Sequence, residues 1–297
     1  MHISKHTRIL LVIAFFAVVF FALFQISSAE TDEPDLSEDR EPEDTELKPE
    51  QEDKNVQISE EIKGSTSGDQ TIEGPSEKVE VDTITPPQEV RFYHGPTDSK
   101  RVALTFDDGP HPLYTPRILD ILKERNIRAT FFVIGSQVKR HPELVRRIVD
   151  EGHIIANHSW GHPNLTMRSP EGVQKELIDT NVAIAKVTGR IPRLMRPPYG
   201  GINARVESQL DELGFKAILW SVDTRDWERL SPSEIVNKVR YQTRPGGIIL
   251  LHDGGGIREH TVTALPQIIS YLEEEGYQLV TVPELLHVPA YHYSPLW

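Results

Sequence analysis

The chain contains no cysteine, so neither a disulfide nor a thiolate ligand can hold it together. Any metal it takes must sit on nitrogen and oxygen donors. That absence does not identify the compartment; it says only that an exported domain must be held by its core. A basic excess is also missing, since the formal net charge is −13. The charge is unevenly placed: Glu30 to Glu89 holds 21 acidic and 5 basic residues, and Val90 to Trp297 holds 24 and 25. The nearly neutral second part offers no electrostatic footprint for nucleic acid. Long apolar runs are lacking too, with one exception at the N-terminus.

That exception is Ile9 to Phe24, 16 residues made only of Ile, Leu, Val, Ala and Phe, preceded by Lys5 and Arg8. With Gln25 and Ile26 it would make a helix about 27 Å long at roughly 1.5 Å per residue. It is long for a signal-peptide core and slightly short for a membrane span. Ser27-Ser28-Ala29 places small residues where a signal peptidase would cut. Residues 1–29 therefore read as a signal peptide or a membrane anchor. If the segment is retained, its basic residues keep the N-terminus cytoplasmic and the remainder outside. Residues 30–89 have no aromatic residue and no apolar period. They read as a disordered acidic linker spanning about 45 Å as a flexible chain.

From Val90 onward, residues 90–297 alternate short apolar runs with helical patterns. Candidate strands are Val102–Phe106, Ala129–Ile134, His153–Ala156, Leu194–Arg196, Phe215–Ser221, Gly247–Leu251 and Tyr277–Val282. Helical patterns lie near Pro116–Arg125, Glu143–Glu151, Pro170–Val187, Ala204–Leu213, Pro232–Arg240 and Ala264–Glu275. Near-continuous apolar strands are those of a parallel sheet covered on both faces. The expected class is α/β, either a closed barrel or an open doubly wound sheet. In both, ligands sit at the carboxyl ends of the strands.

The polar residues collect there. Val102 to Phe106 ends in Asp107-Asp108-Gly109-Pro110. Along a regular strand the two carboxylates would face opposite ways; a break at the Gly-Pro pair lets both face one cleft. A helix cap would need only one Asp, and two ending a buried strand are costly unless paired or on a metal. The third strand runs into His158-Ser159-Trp160-Gly161-His162, where Gly161 and Pro163 favour a turn over a helix. Two histidines and one Asp leave room for water, which suits catalytic zinc and also open iron or cobalt sites. Arg196-Pro197-Pro198-Tyr199, Asp223-Thr224-Arg225-Asp226-Trp227 and Leu250-Leu251-His252 close the next three strands.

Taken together and in this order, the five segments resemble the motifs of the polysaccharide deacetylases, the family-4 carbohydrate esterases with a NodB-homology domain. The resemblance covers roughly Arg91 to Leu286. It implies a distorted (β/α) barrel of about seven strands and one divalent metal ion, zinc foremost, with cobalt or another divalent ion as alternatives. Asp108, His158 and His162 are implied as metal ligands and Asp107 as general base, paired with Arg196. His252 is implied as general acid, oriented by Asp226. Tyr199 would give a backbone N–H to the oxyanion, and Pro197, Trp227 and Leu250 would line the acetyl pocket.

The implied activity is hydrolysis of N-acetyl groups on an aminosugar polymer, with peptidoglycan N-acetylglucosamine as first choice. Chitooligosaccharide, N-acetylmuramic acid and O-acetylated xylan are alternatives within the fold. A non-catalytic glycan-binding wall protein is the alternative of a different functional class. The expected protein is an extracytoplasmic monomer, meeting a polysaccharide, and a membrane only if the N-terminal segment stays.

Overall fold

The computed structural model describes residues 90–293. The segments read as signal peptide or anchor and as acidic linker lie outside these residues. Among the described residues, no helix is long and apolar enough to cross a membrane.

The strands are β1 (Arg91–Phe92), β2 (Arg101–Asp107), β3 (Thr130–Val133), β4 (Ile154–Asn157), β5 (Leu194–Met195), β6 (Lys216–Ile218), β7 (Val222–Asp223), β8 (Ile248–His252) and β9 (Gln278–Val280). They form one sheet in the order β1-β6-β5-β4-β3-β2-β8-β7, with β9 added on β2. All its strand pairs are parallel. No ladder joins β7 back to β1 among the described residues, so the sheet is a half-barrel, the distorted barrel expected. All seven predicted strands are present. The additional β1 and β7 have two residues each, too short to show a period.

The helices are α1 (Tyr114–Glu124), α2 (Gly135–Arg140), α3 (Pro142–Asp150), α4 (Pro170–Thr188), α5 (Ala204–Glu212), α6 (Pro232–Gln242), α7 (Glu259–Glu274) and α8 (Val282–Leu286). Six match the helical patterns of the sequence; α2 and α8 do not. Val282 was expected to end a strand. It starts a helix because Thr281 and Glu284 form a capping box that satisfies the first backbone N–H groups.

The pleat of β2 explains its unbroken apolar run. Val102, Leu104 and Phe106 belong to the large outer core under the helices, whereas Ala103 joins the inner cluster with Phe132, Ala156, Leu194, Ile218 and Ile248. Alternation then puts Thr105 and Asp107 on the inner face with Ala103. Helix α8 adds Val282 and Leu285 to that inner cluster. It is tied near the amino ends of β2 and β3 by Arg101 to the Glu284 carbonyl and by the Val282 N–H to Thr130 Oγ1. The opposite, carboxyl end of the barrel is left for the polar residues.

Candidate active site

Asp107 is the last residue of β2 and 3% exposed. A carboxylate so placed needs a compensating charge, and Arg196 supplies it. Arg196 Nη1 donates to Asp107 Oδ1 at 2.8 Å and to Thr105 Oγ1 at 2.9 Å. Its Nε and Nη2 donate to the Ile218 and Leu219 carbonyls, and its Cζ lies 4.2 Å from the centroid of the Phe132 ring. Burial lowers the Arg196 pKa, opposed by Asp107, but a guanidinium stays charged in proteins. The second oxygen of Asp107 is free to face the cleft, 3.8 Å from His158 Nε2.

The strand breaks at Asp108, whose φ is +73°. This left-handed conformation turns the second carboxylate to the same side as the first. Asp108 Oδ1 lies 3.5 Å from His158 Nε2 and 3.2 Å from His162 Nε2. The two histidines lie in a turn, not on a helix. Ser159 and His162 also have positive φ, a strain that must be held by bonds around it. Asn157 Oδ1 accepts from the Ser159 N–H, Ser159 Oγ from the His162 N–H, and Glu176 of α4 from the Trp160 and Gly161 N–H groups. His158 Nδ1 donates to the Arg196 carbonyl at 2.7 Å, which fixes its tautomer and leaves Nε2 for a ligand.

Asp108, His158 and His162 bring one donor atom each within 4.8 Å of one another. Asp108 Oδ1 is buried without a hydrogen-bond partner. An orphaned carboxylate oxygen among imidazole nitrogens, with no thiolate available, fits a divalent cation. Burial acts to raise the Asp108 pKa, but His158, His252 and His162 outweigh it and hold the carboxyl well below its ordinary value. Burial likewise opposes the charged form of His158, and Asp107 and Asp108 raise its pKa nonetheless. His162 is lowered by burial and by His158.

Across the cleft, His252 ends β8. Its Nδ1 donates to Asp226 Oδ1 at 2.6 Å, and its own N–H donates to Asp226 Oδ2 at 2.9 Å. Burial disfavours the imidazolium, but the charge and hydrogen bond of Asp226, helped by Asp107 and Asp108, push the pKa up to about 9. Asp226 is lowered: burial opposes this, and His252 and Thr261 overcome it. The cleft between these groups has a volume of about 630 Å³ and is lined by Pro197, Tyr199, Trp227 and Leu250 among others. Tyr199 stands at φ +60° with its ring 71% exposed, edge-on to His162 at 4.7 Å. Trp227 is half exposed and Leu250 buried.

Of the eleven residues singled out in the sequence, nine line one cleft, and Arg196 and Asp226 are buried behind it, bonded to Asp107 and His252. The cleft lining also includes Ile134, Trp220, Asp223, Gly255 and Arg258, to which sequence reading gave no role. Sequence reading also missed Thr105 and Thr261, which bind Arg196 and Asp226. A buried Thr in a strand or a helix looks like packing, and only the partner across the fold reveals a bond. Gly255 lies after the His-Asp strand end in a run of three glycines, a signal of close backbone approach that was available.

Fold and site together define a parallel α/β half-barrel with a candidate mononuclear metal centre between a buried carboxylate and a carboxylate-supported histidine. The polysaccharide deacetylase family model matches residues 94–218, a range that contains the candidate site residues from Asp107 through Tyr199. The chain is 41% identical over 207 residues to a chitooligosaccharide deacetylase of Rhizobium leguminosarum bv. trifolii, covering 66% of this chain and 96% of that protein. It is 43% identical over 187 residues to the peptidoglycan-N-acetylglucosamine deacetylase PgdA of Listeria monocytogenes, but this match covers 63% of the chain and only 39% of that relative. The crystal structure of the Bc1960 peptidoglycan N-acetylglucosamine deacetylase superposes with a TM-score of 0.67 at 38% identity, covering 69% and 96% of the two chains. The chain belongs to the polysaccharide deacetylase family.

Proposed function

We propose that this protein is a metal-dependent hydrolase that removes N-acetyl groups from an aminosugar polymer, with peptidoglycan N-acetylglucosamine as its substrate. The observation that carries the reading is the pairing across one cleft of a buried carboxylate, Asp107, with an imidazole, His252, whose pKa is raised to about 9. An amide needs both a base to make the nucleophile and an acid to protonate the departing amine. The relatives named for wall and chitin-type aminoglycans support the substrate class.

Asp108, His158 and His162 would hold the ion, with zinc the first choice and cobalt the next. Bound there, it supplies Lewis-acid polarisation of the acetyl carbonyl and makes water more acidic. Asp107 takes the proton of the attacking water through Oδ2, since Oδ1 is held by Arg196. The Tyr199 N–H donates to the carbonyl oxygen as charge builds on it. His252 Nε2 gives its proton to the leaving nitrogen while Asp226 holds Nδ1 and stabilises the imidazolium. Pro197, Trp227 and Leu250 shape the wall against which the acetyl methyl rests. Residues 90–297 form the catalytic unit, which works outside the cytoplasm as a monomer, carried there by the apolar N-terminal segment.

The test is acetate release by the full chain from N-acetylglucosamine oligomers and from intact wall, with and without added zinc. Release from the oligomers and wall, lost with a chelator and restored by metal, is the expected result. No release from any acetylated glycan at full metal occupancy would leave a glycan-binding role in its place.

A further inference from the structure

The carboxylate behind the candidate acid accepts a third hydrogen bond, from a residue nine positions beyond His252 and outside the five motif segments. Asp226 is 2% exposed. Its Oδ2, besides the His252 N–H, accepts a hydrogen bond of 2.8 Å from Thr261 Oγ1. Thr261 is fully buried in the first turn of α7. A helical threonine ordinarily returns its hydroxyl to the carbonyl four residues back, as Thr263 does to Glu259, Thr180 to Glu176 and Thr188 to Ile184. Thr261 stands in the first turn, where the carbonyl four residues back, that of Ile257, precedes the helix and accepts from Arg258; its own hydroxyl goes to Asp226. The residue that caps this helix, Arg258, donates from Nε, Nη1 and Nη2 to the Gly254, Ile257 and Gly255 carbonyls. The same turn therefore fastens the loop that follows His252 and the carboxylate that supports it.

We propose that Thr261 is a positioning residue for proton donation, tempering the Asp226 carboxylate so that His252 can release its proton to the leaving amine. The proposal rests on the deacetylase reading above. A carboxylate oxygen that accepts a hydroxyl hydrogen is a weaker partner for the imidazolium. Without that hydroxyl, Asp226 keeps both bonds to His252 and so keeps its place, but it binds the shared proton more firmly. The other charged groups near His252 are Asp107 at the end of β2 and Asp108 just after it, His162 from the histidine turn, Asp253 next in the chain and Arg258 beside Asp226. None of them changes in a Thr261 variant.

The experiment compares wild type, Thr261→Val and Thr261→Ser as full-length, zinc-loaded protein on N-acetylglucosamine oligomers. Thr261→Val should lower kcat by about two- to ten-fold, the worth of one hydrogen bond. KM should stay unchanged, because the side chain touches no substrate. The alkaline limb of the kcat profile should move to higher pH, and Thr261→Ser should restore both. NMR titration of the His252 ring should show the same upward shift without requiring turnover. An inactive wild type would thus count against the deacetylase reading while the titration still decides this one. If Val does not fold, Thr261→Ala replaces it in the same comparison. A limb and titration that stay put or move down, or a Ser variant that behaves like Val, would overturn the assignment and leave Thr261 as packing.

Discussion

Asp107 and His252 are register partners on the neighbouring parallel strands β2 and β8. Residues so paired point to one face of the sheet, with their backbones about 4.8 Å apart. The candidate base and acid are therefore spaced by ladder hydrogen bonds between two buried strands, not by loops. Their outer supports come from elsewhere: Arg196 reaches Asp107 from beyond β5, and Asp226 reaches His252 from beyond β7. A site whose reacting groups sit on rigid strands and whose orienting groups sit on the turns keeps its geometry when the rim moves.

The adjacent aspartates should separate cleanly by mutation. Asp107→Asn keeps shape but cannot take a proton, so turnover should fall by about 10²–10⁴-fold with metal retained. Asp108→Asn removes the charged donor that faces both histidines, so bound metal should fall and excess zinc should partly restore activity. Elemental analysis beside turnover checks both. Equal metal loss in the two variants would mean the doublet is a shared ligand.

The pH profile should be bell-shaped, its alkaline limb set by loss of the His252 proton. Asp226 is the chief group raising that pKa to about 9 against the effect of burial. In Asp226→Asn the imidazolium loses this partner, so the limb should move down, toward the ordinary histidine value near 6.5. Rate profiles of the two proteins decide it: an unchanged limb would show that Asp226 does not support the acid.

Much of this was legible because polar residues ending apolar strands stand out. Asp107, His158, Arg196 and His252 each end a buried run or follow one directly, and His162 and Asp226 come within five residues of one. The strand break that lets both carboxylates face one cleft was readable from Gly109-Pro110; its left-handed form at Asp108 was not. What was hidden depended on partners far along the chain. Nothing near Thr105 announces that it will meet Arg196, 91 residues on. Helix α2 was missed because six residues show too little of a 3.6 period, and because it starts on Gly135, a poor helix former.

Arg196 should be needed for stability as well as for catalysis. It is fully buried and holds Asp107, Thr105 and two carbonyls at once. Arg196→Met would strand a buried carboxylate, at a cost on the order of 3–5 kcal/mol. Arg196→Lys should rescue little, since one ammonium cannot reproduce the fork. Urea denaturation of the three proteins at pH 7 measures this; a lysine variant of wild-type stability would show that charge alone suffices.

Asp253 should make the metal-free protein lose stability as pH rises. It is fully buried, its Oδ2 accepting from Thr115 Oγ1 at 2.5 Å and its Oδ1 having no partner. Burial, reinforced by the charges of Asp108 and Asp107, pushes its pKa up from 3.8 to about 7. The unfolded chain releases this proton near pH 4, while the native state keeps it until about 7. Between those values the native state binds more protons, so stability falls with rising pH, on the order of a few kcal/mol in all. Asp253→Asn should remove that slope whatever its effect on absolute stability. Zinc should flatten it in the wild type, because a cation on Asp108 offsets one of the charges that raise the pKa. Chemical denaturation from pH 4.5 to 7.5, with chelator and with zinc, reads all three arms. Parallel curves for wild type and Asp253→Asn under chelator would mean that Asp253 is already ionised in the native protein.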